Sequence, residues 1–300
     1  MTAPLRVVVV HWNQPEECLA TVARFASGAH PVRVTVVDNG SRSEAVRLLR
    51  EGLAGRDDAE LVEVGDNSGF GPGANAGLRR FLDDPDDGEW VALAPHDVEP
   101  SETCLRELLA AAASEPMAGL LCADVGDGMS PVIDPYFGGM VVPAPASDAP
   151  LPRWEDVDYP HGTLMLLRRQ CLAEVGLFDE RYFSYCEEAD LALRARRAGW
   201  RIGLVRGAMV RNVHLGSSVP LVDYLQTRNT LLLVQEMSGW YHATIRAIIT
   251  LLQVVGGLRR PERRPPVFDA RARLLGLRDF VLRRFGPPPP VLSGRIQGPP

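Results

Sequence analysis

LRVVVVHWN (Leu5–Asn13) and VRVTVVDNGS (Val32–Ser41) are two β-branched runs, each stopped by polar residues. A continuous valine run suits a parallel strand buried on both faces. Between them, Pro15 to Phe25 puts Leu19, Val22 and Phe25 near one helical face, so the stretch reads as strand, crossover helix, parallel strand. Working outward, Ser43–Gly52 reads as a helix and Glu60–Val64 as a short strand. Gly73–Leu82 is the next helix, and Trp90–Leu93 a strand ending in Ala94-Pro95-His96-Asp97. This alternation predicts a doubly wound α/β sheet, whose ligands sit at the carboxyl ends of strands. Asp38-Asn39-Gly40 and His96-Asp97 fall at such ends and are site candidates by position alone.

Further along, Ser101–Ser114 reads as a helix. Asp124–Pro160 is rich in Pro, Gly and Asp, which predicts long loops with a small antiparallel element. Gly162–Arg168 is expected as a strand, Gln170–Val175 as a short helix, and Glu187–Gly199 as an amphipathic helix closed by glycine. Ile202–Val205 and Ala208–His214 are expected as strands, followed by helices over Leu221–Met237 and Tyr241–Leu258. The tail GPPPPVLSGRIQGPP cannot build a packed core and is expected to be disordered.

The chain has 300 residues, 46% hydrophobic and 23% charged, enough for a substantial core. Its 32 basic residues are all arginine and face 38 acidic ones, a net −6 that argues against a nucleic-acid binder driven by bulk charge. Absence of lysine excludes a lysine Schiff base or a phosphate-loop lysine. Five scattered cysteines with no C-x-x-C pair read as reduced thiols and point to the cytoplasm. The four-valine run near the N-terminus is too short for a signal-peptide core, and AIITLLQVVGGL (Ala247–Leu258) is short of a membrane span.

Four constellations carry chemistry. Asp66 to Gly77 (DNSGFGPGANAG) puts glycines before a helix, where backbone can approach an anion. It follows the third strand rather than the first, so a dinucleotide fingerprint fails on context. Pro95-His96-Asp97 offers a carboxylate for a divalent ion, or a cap for the helix near Ser101. Glu187, Glu188 and Asp190 crowd a helix start, where the macrodipole favours acids. One of them can equally serve as a general base. His214 follows a strand and precedes Gly-Ser-Ser, as a ligand or as a structural histidine.

These segments, with GTLMLLRR, GLFDERYFSYCEEADLALRARRAGWRI, VRNVHLGSS and YLQTRN, occur in the order and spacing of a known family. From about Leu5 to Leu233 the chain resembles the inverting glycosyltransferase family 2, particularly its rhamnosyltransferase-like branch. The resemblance implies a GT-A fold, a Rossmann-like mixed sheet flanked by helices with a C-terminal helical appendage. It divides the chain into a catalytic domain over 1–220, a helical segment over 221–285 and a tail over 286–300. It further implies a nucleotide-diphosphate-sugar donor, dTDP-rhamnose or a UDP-sugar, and a divalent Mg2+ or Mn2+. By position, Asp38, His11 and Asn13 line the nucleotide pocket, and Gly69, Gly71 and Asn75 shape the loop over the donor. Asp97, beside His96, is the surviving carboxylate of a D-x-D motif whose first position is Pro95. His214 stands where some members ligate the metal. With Pro95 there, metal independence stays open.

Glu188 stands at the catalytic-base position, where an aspartate is usual, with Glu187 and Asp190 as alternatives. The implied reaction is single displacement, inverting the anomeric carbon, in cell-surface glycan synthesis. The competing reading is a catalytically silent nucleotide-sugar-binding scaffold. The apolar helix Tyr241–Leu258, followed by Arg259, Arg260, Arg263 and Arg264, suits an inner membrane face near a lipid-linked acceptor, or packing against the catalytic domain or a second subunit as a homodimer contact. Tyr136, Trp154, Asp156 and His161 are expected to help form the acceptor pocket.

Overall fold

The computed structural model describes residues 4–212 and 218–293. The chain begins with β1 (Leu5–His11), α1 (Pro15–Ala26), β2 (Val32–Asp38), α2 (Ser43–Leu53), β3 (Ala59–Glu63), α3 (Phe70–Asp83) and β4 (Trp90–Pro95). Strands β3, β2, β1 and β4 lie side by side and parallel, as the valine runs predict. The reason is visible in β1. Val7 and Val9 enter one core with Cys18, Val22, Phe25 and Leu49, while Val8 and Val10 enter a second with Ala74, Leu78 and Phe81. Both faces are covered, which suits four consecutive valines at Val7–Val10.

The second half makes the sheet mixed. It adds β5 (Val98–Pro100), α4 (Cys104–Ser114), β6 (Ala118–Asp124), the hairpin β7 (Met129–Asp134) and β8 (Gly138–Pro143), and β9 (Arg153–Asp156). Then come β10 (Met165–Arg168), α5 (Arg169–Val175), α6 (Glu187–Arg197) and β11 (Arg201–Asn212). The sheet runs β3-β2-β1-β4-β10-β6-β11-β5, with β9 also on β11 and β10 antiparallel to both its neighbours. Two expected strands are one: β11 runs through a register shift between Val205 and Met209, at Gly207, whose φ is +93°. The unforeseen β5 delays α4 to Cys104, because the Ser101 amide donates to the Met209 carbonyl, 2.9 Å away.

The C-terminal layer is α7 (Val219–Arg259), α8 (Ala270–Val281) and the short α9 (Pro290–Ser293). Helix α7 covers both expected helices and bends between them at Gly239 (φ +81°, ψ 178°). By length and composition it could cross a membrane, a property the shorter Ala247–Leu258 stretch does not have. Its first half packs against the segment leading into α6. Leu231–Val234 share a core with Tyr182 and Ala189, and Leu221, Tyr224 and Leu225 share one with Phe183 and Ala272. Within the segment expected as a tail, Leu292 packs into that last cluster.

Candidate active site

At the ends of β1 and β2 the expected nucleotide residues form one knit. Ser41 donates its amide to Asp38 Oδ2 (3.1 Å), and Asp38 Oδ1 lies 2.9 Å from His11 Nδ1. The Gln14 amide donates to His11 Nε2 at 3.0 Å, so the ring carries its proton on Nδ1 and gives it to Asp38. Burial alone would raise the Asp38 carboxyl, but the bonds from His11 and Ser41 hold it below its ordinary value. Asn13 closes the knit: its amide donates to Ser41 Oγ (2.8 Å) and its Oδ1 accepts from the Arg42 amide (2.8 Å). A cleft of about 240 Å³ opens beside it, lined by Asp38, Ser41, Ser43, Val46, Arg50, Glu63 and Gly65. His11 has no exposed surface, so its task here is to orient Asp38 rather than to line the cleft.

The glycine loop has a task beyond the donor. A Cβ on Gly69 (φ +102°) would lie 2.0 Å from the Phe183 carbonyl oxygen, and one on Gly71 would meet Phe178 and Glu187. Glycine is required because the loop before α6 lies directly against this one. Asn75, expected at the donor, is buried and spends both ends of its amide on Phe178, donating to its carbonyl (2.9 Å) and accepting from its N–H (3.0 Å). It therefore clamps the loop that leads into α6.

That loop is strained. Phe183, Tyr185 and Cys186 have φ of +65°, +70° and +74°, a region bulky side chains avoid. The tether comes from α7, where buried Asn229 reaches the carbonyls of Tyr182 (2.7 Å), Ser184 (2.8 Å) and Tyr185 (2.8 Å). Arg228, also fully buried, donates to the Tyr182 carbonyl at 3.2 Å. These two residues of YLQTRN carry a positioning role that the motif alone does not reveal.

The three candidate bases separate cleanly. Asp190 is spent on Arg194 one turn on (2.8 and 2.9 Å), and Arg194 in turn donates to the Val175 and Leu177 carbonyls. Asp190 is thus braced through Arg194 to the segment leading into α6. Glu187 is buried and packed beneath Gly71. Glu188 lines a cavity of about 310 Å³, together with Phe137, Tyr159, Tyr185, Thr230 and Arg246. Burial raises both glutamates; the neighbouring Glu188 charge raises Glu187 further, and a hydrogen bond from Glu187 favours the charged form of Glu188. Of the two, Glu187 is disfavoured as a carboxylate by burial and by its neighbour, while Glu188 has one bond that favours its charged form. Cys186, on the same wall, is pushed up by burial and then by the two glutamates, so it stays a thiol at neutral pH.

The turn between β4 and β5 holds His96 and Asp97. Buried Thr21 pins it by donating to the His96 (2.8 Å) and Val98 (3.1 Å) carbonyls. The His96 nitrogens lie 3.2 Å from the Val10 carbonyl and 2.6 Å from Gln14 Oε1. This leaves Asp97, half-buried, as the one expected metal ligand there, because His214 lies outside the described residues. Among the described residues no three His, Cys, Asp or Glu side chains gather closely enough to hold an ion. Among the described residues, the donor set around Asp97 falls short of a resident metal site. Trp154 and Asp156, expected at the acceptor pocket, are elsewhere: Trp154 covers Gly203, and Asp156 pairs with Arg201 at 2.7 Å. Tyr136 stacks near His242 (4.8 Å between ring centroids) and does not line the Glu188 cavity; its place there is taken by Phe137, Gly139 and Tyr159.

A mixed sheet in this order, with polar turns at its carboxyl edge and an acid-headed α6 beneath a helical layer, is the GT-A glycosyltransferase architecture. The chain belongs to glycosyl transferase family 2, whose sequence model matches residues 6–175; a second, "Glycosyltransferase like family 2", matches 151–242. It is 27% identical to the N-acetylglucosaminyl-diphospho-decaprenol L-rhamnosyltransferase of Mycobacterium tuberculosis, over 88% of this chain and 97% of that protein. Among solved structures it is similar in fold to GalNAc-T7 with UDP, GalNAc and Mn2+ (TM-score 0.65, 14% identity, 92% of this chain and 54% of that one). The mannosyltransferase PcManGT from Pyrobaculum calidifontis, with GDP-Man and Mn2+, is also similar (TM-score 0.58, 13% identity, 93% and 86%). The protein is a glycosyltransferase with a role in glycan synthesis.

Proposed function

We propose that this protein transfers a sugar from a nucleotide-diphosphate donor, dTDP-rhamnose or a UDP-sugar, to a hydroxyl of a lipid-linked acceptor, with inversion at the anomeric carbon. The observation that carries the reading is Glu188, a carboxylate on the wall of a cavity whose burial raises its affinity for a proton. Such a group suits the removal of a proton from an attacking hydroxyl. In this reading the Asp38 cleft receives the nucleotide and Asp97 stands on the donor side. The acceptor oxygen loses its proton to Glu188 and forms the new bond to the anomeric carbon, as the bond from that carbon to the diphosphate oxygen breaks. The diphosphate leaves with the electron pair, and no covalent enzyme intermediate forms.

The named acceptor of the mycobacterial relative, a diphospho-decaprenol, supports a lipid carrier. So does the second half of α7, which exposes Tyr241, Ile248, Leu252 and Leu258 ahead of Arg259, Arg260, Arg263 and Arg264. That pattern suits a peripheral seat on an anionic membrane. The test is nucleoside diphosphate release from a donor panel with native lipid extract as acceptor, with product stereochemistry read by NMR. Glu188→Gln should lower turnover by about 10²–10⁴-fold, the usual contribution of a general base. Donor binding without turnover in the wild type would leave the silent-scaffold reading instead.

A further inference from the structure

We propose that Arg246 is the acceptor-recognition residue of the Glu188 cavity, and that it binds a phosphate or diphosphate group carried by the acceptor near the hydroxyl to be glycosylated. The inference rests on the reading of Glu188 as the base, because it takes the cavity as the acceptor's side of the site.

Arg246 lies about two turns beyond the Gly239 bend, and its side chain lines the same cavity as Glu188. Its Nε and Nη1 are buried and have no hydrogen-bond partner among the described residues. The guanidinium carbon lies 5.2 Å from the Phe137 ring centroid, which supports a cation but satisfies no N–H. The other arginine on the wall is already used: Arg273 holds Asp223 Oδ1 through Nε (2.9 Å) and Nη2 (2.7 Å). Asp223 Oδ2 accepts from the Asp269 amide at 2.7 Å, so that carboxylate has little left to offer Arg246. Burial, and then the nearby Arg273 charge, work against the Arg246 cation.

A buried guanidinium with unused donors is a liability for the fold. An oxyanion removes it, since the guanidinium fork matches two phosphate oxygens. His11, Asp38 and Asp97 are absent from this cavity wall, which assigns the anion to the acceptor rather than to the donor. At about 310 Å³ the cavity is at the small end of ligand sites. It admits a sugar and its adjoining phosphate, and leaves a lipid chain outside it.

The test is calorimetric binding of inorganic pyrophosphate, farnesyl diphosphate and farnesol to the full chain, in wild type, Arg246→Met and Arg246→Lys. Wild type should bind both diphosphates and bind farnesol far more weakly. Arg246→Met should weaken diphosphate binding by about tenfold or more, the loss expected for charge-assisted bonds, with Arg246→Lys intermediate. Binding of dTDP and UDP should be unchanged in all three. Unliganded Arg246→Met should melt no lower than wild type, since it sheds unsatisfied donors and keeps the stem over Phe137; a merely structural arginine would cost stability instead. Should Arg246→Met fail to fold, the lysine variant carries the comparison. Tighter binding of farnesyl diphosphate than of pyrophosphate assigns the site to a lipid carrier, and equal binding assigns it to the anion itself. Unchanged diphosphate affinity in both variants, or farnesol binding as well as its diphosphate, overturns the proposal. Glu188→Gln separates it from the catalytic reading: that variant should keep diphosphate binding, and retained turnover there would overturn the base assignment alone.

Discussion

Replacing Asn229 by alanine tests whether the C-terminal helices hold the loop before α6 in its strained shape. Asn229 is fully buried, and its amide nitrogen is the donor for three loop carbonyls at 2.7–2.8 Å. Its Oδ1 also accepts from Arg228 Nε at 3.0 Å. The amide has two N–H bonds to give, and alanine removes both. Leaving buried acceptors unpaired costs about 1–3 kcal/mol each, so the variant should lose about 2–4 kcal/mol of stability. The loss should not stop there. Phe183, Tyr185 and Cys186 sit at positive φ, a cost of about 1–3 kcal/mol each that persists only while the surroundings enforce it. Without the tether the loop relaxes and carries the first turn of α6, hence Glu188, with it. Displacement of a base on the ångström scale costs ~10²-fold in rate. Urea unfolding gives the stability change, and nucleoside diphosphate release at saturating donor gives turnover per folded molecule. Full loss of stability with unchanged turnover would refute the reasoning, because the loop would then hold its shape without α7.

Three further outcomes are expected. Glu187→Gln should stabilise the protein at neutral pH. The folded carboxyl is raised above its ordinary value, so the native state binds the proton more tightly than the unfolded chain. Stability therefore grows as pH falls through the raised value and levels off below the unfolded one; urea midpoints across that range should flatten in the variant. Gly69→Ala places a Cβ 2.0 Å from the Phe183 oxygen at φ +102°, and should cost about 2–4 kcal/mol together with most of the turnover, read by the same two assays. The double variant Ile248→Glu, Leu252→Glu alters two exposed positions. It should abolish flotation with anionic vesicles, and wild-type flotation should weaken with salt. Wild-type sedimentation as a dimer without flotation would point to a second copy on that face.

The parallel half of the sheet was legible in the sequence because β1 and β2 are buried on both faces, which suits valine at consecutive positions. The mixed half was less so: β5 is three residues long, and the break at Gly207 makes one strand look like two. At the site, the glycines and acids could be found by type and spacing, but not their duties. Asp190 and Glu188 are two residues apart on one helix, so they face different surroundings. One meets Arg194, the other the cavity. Asn75 reads as a donor contact until its amide is seen clamped to Phe178, more than a hundred residues away.

Local patterns thus determined the α/β class, the carboxyl-edge location of the polar turns and the presence of an acid-rich helix start, because strand burial, turns and helix ends each leave a short-range signature. Only the tertiary structure decided which carboxylate faces a cavity and which is a brace, and which helix restrains the strained loop. It also decided that Arg246 of α7 shares a cavity with Glu188 of α6. Those properties arise from contacts between segments far apart in the chain, where burial and the nearest charge set what each side chain can do.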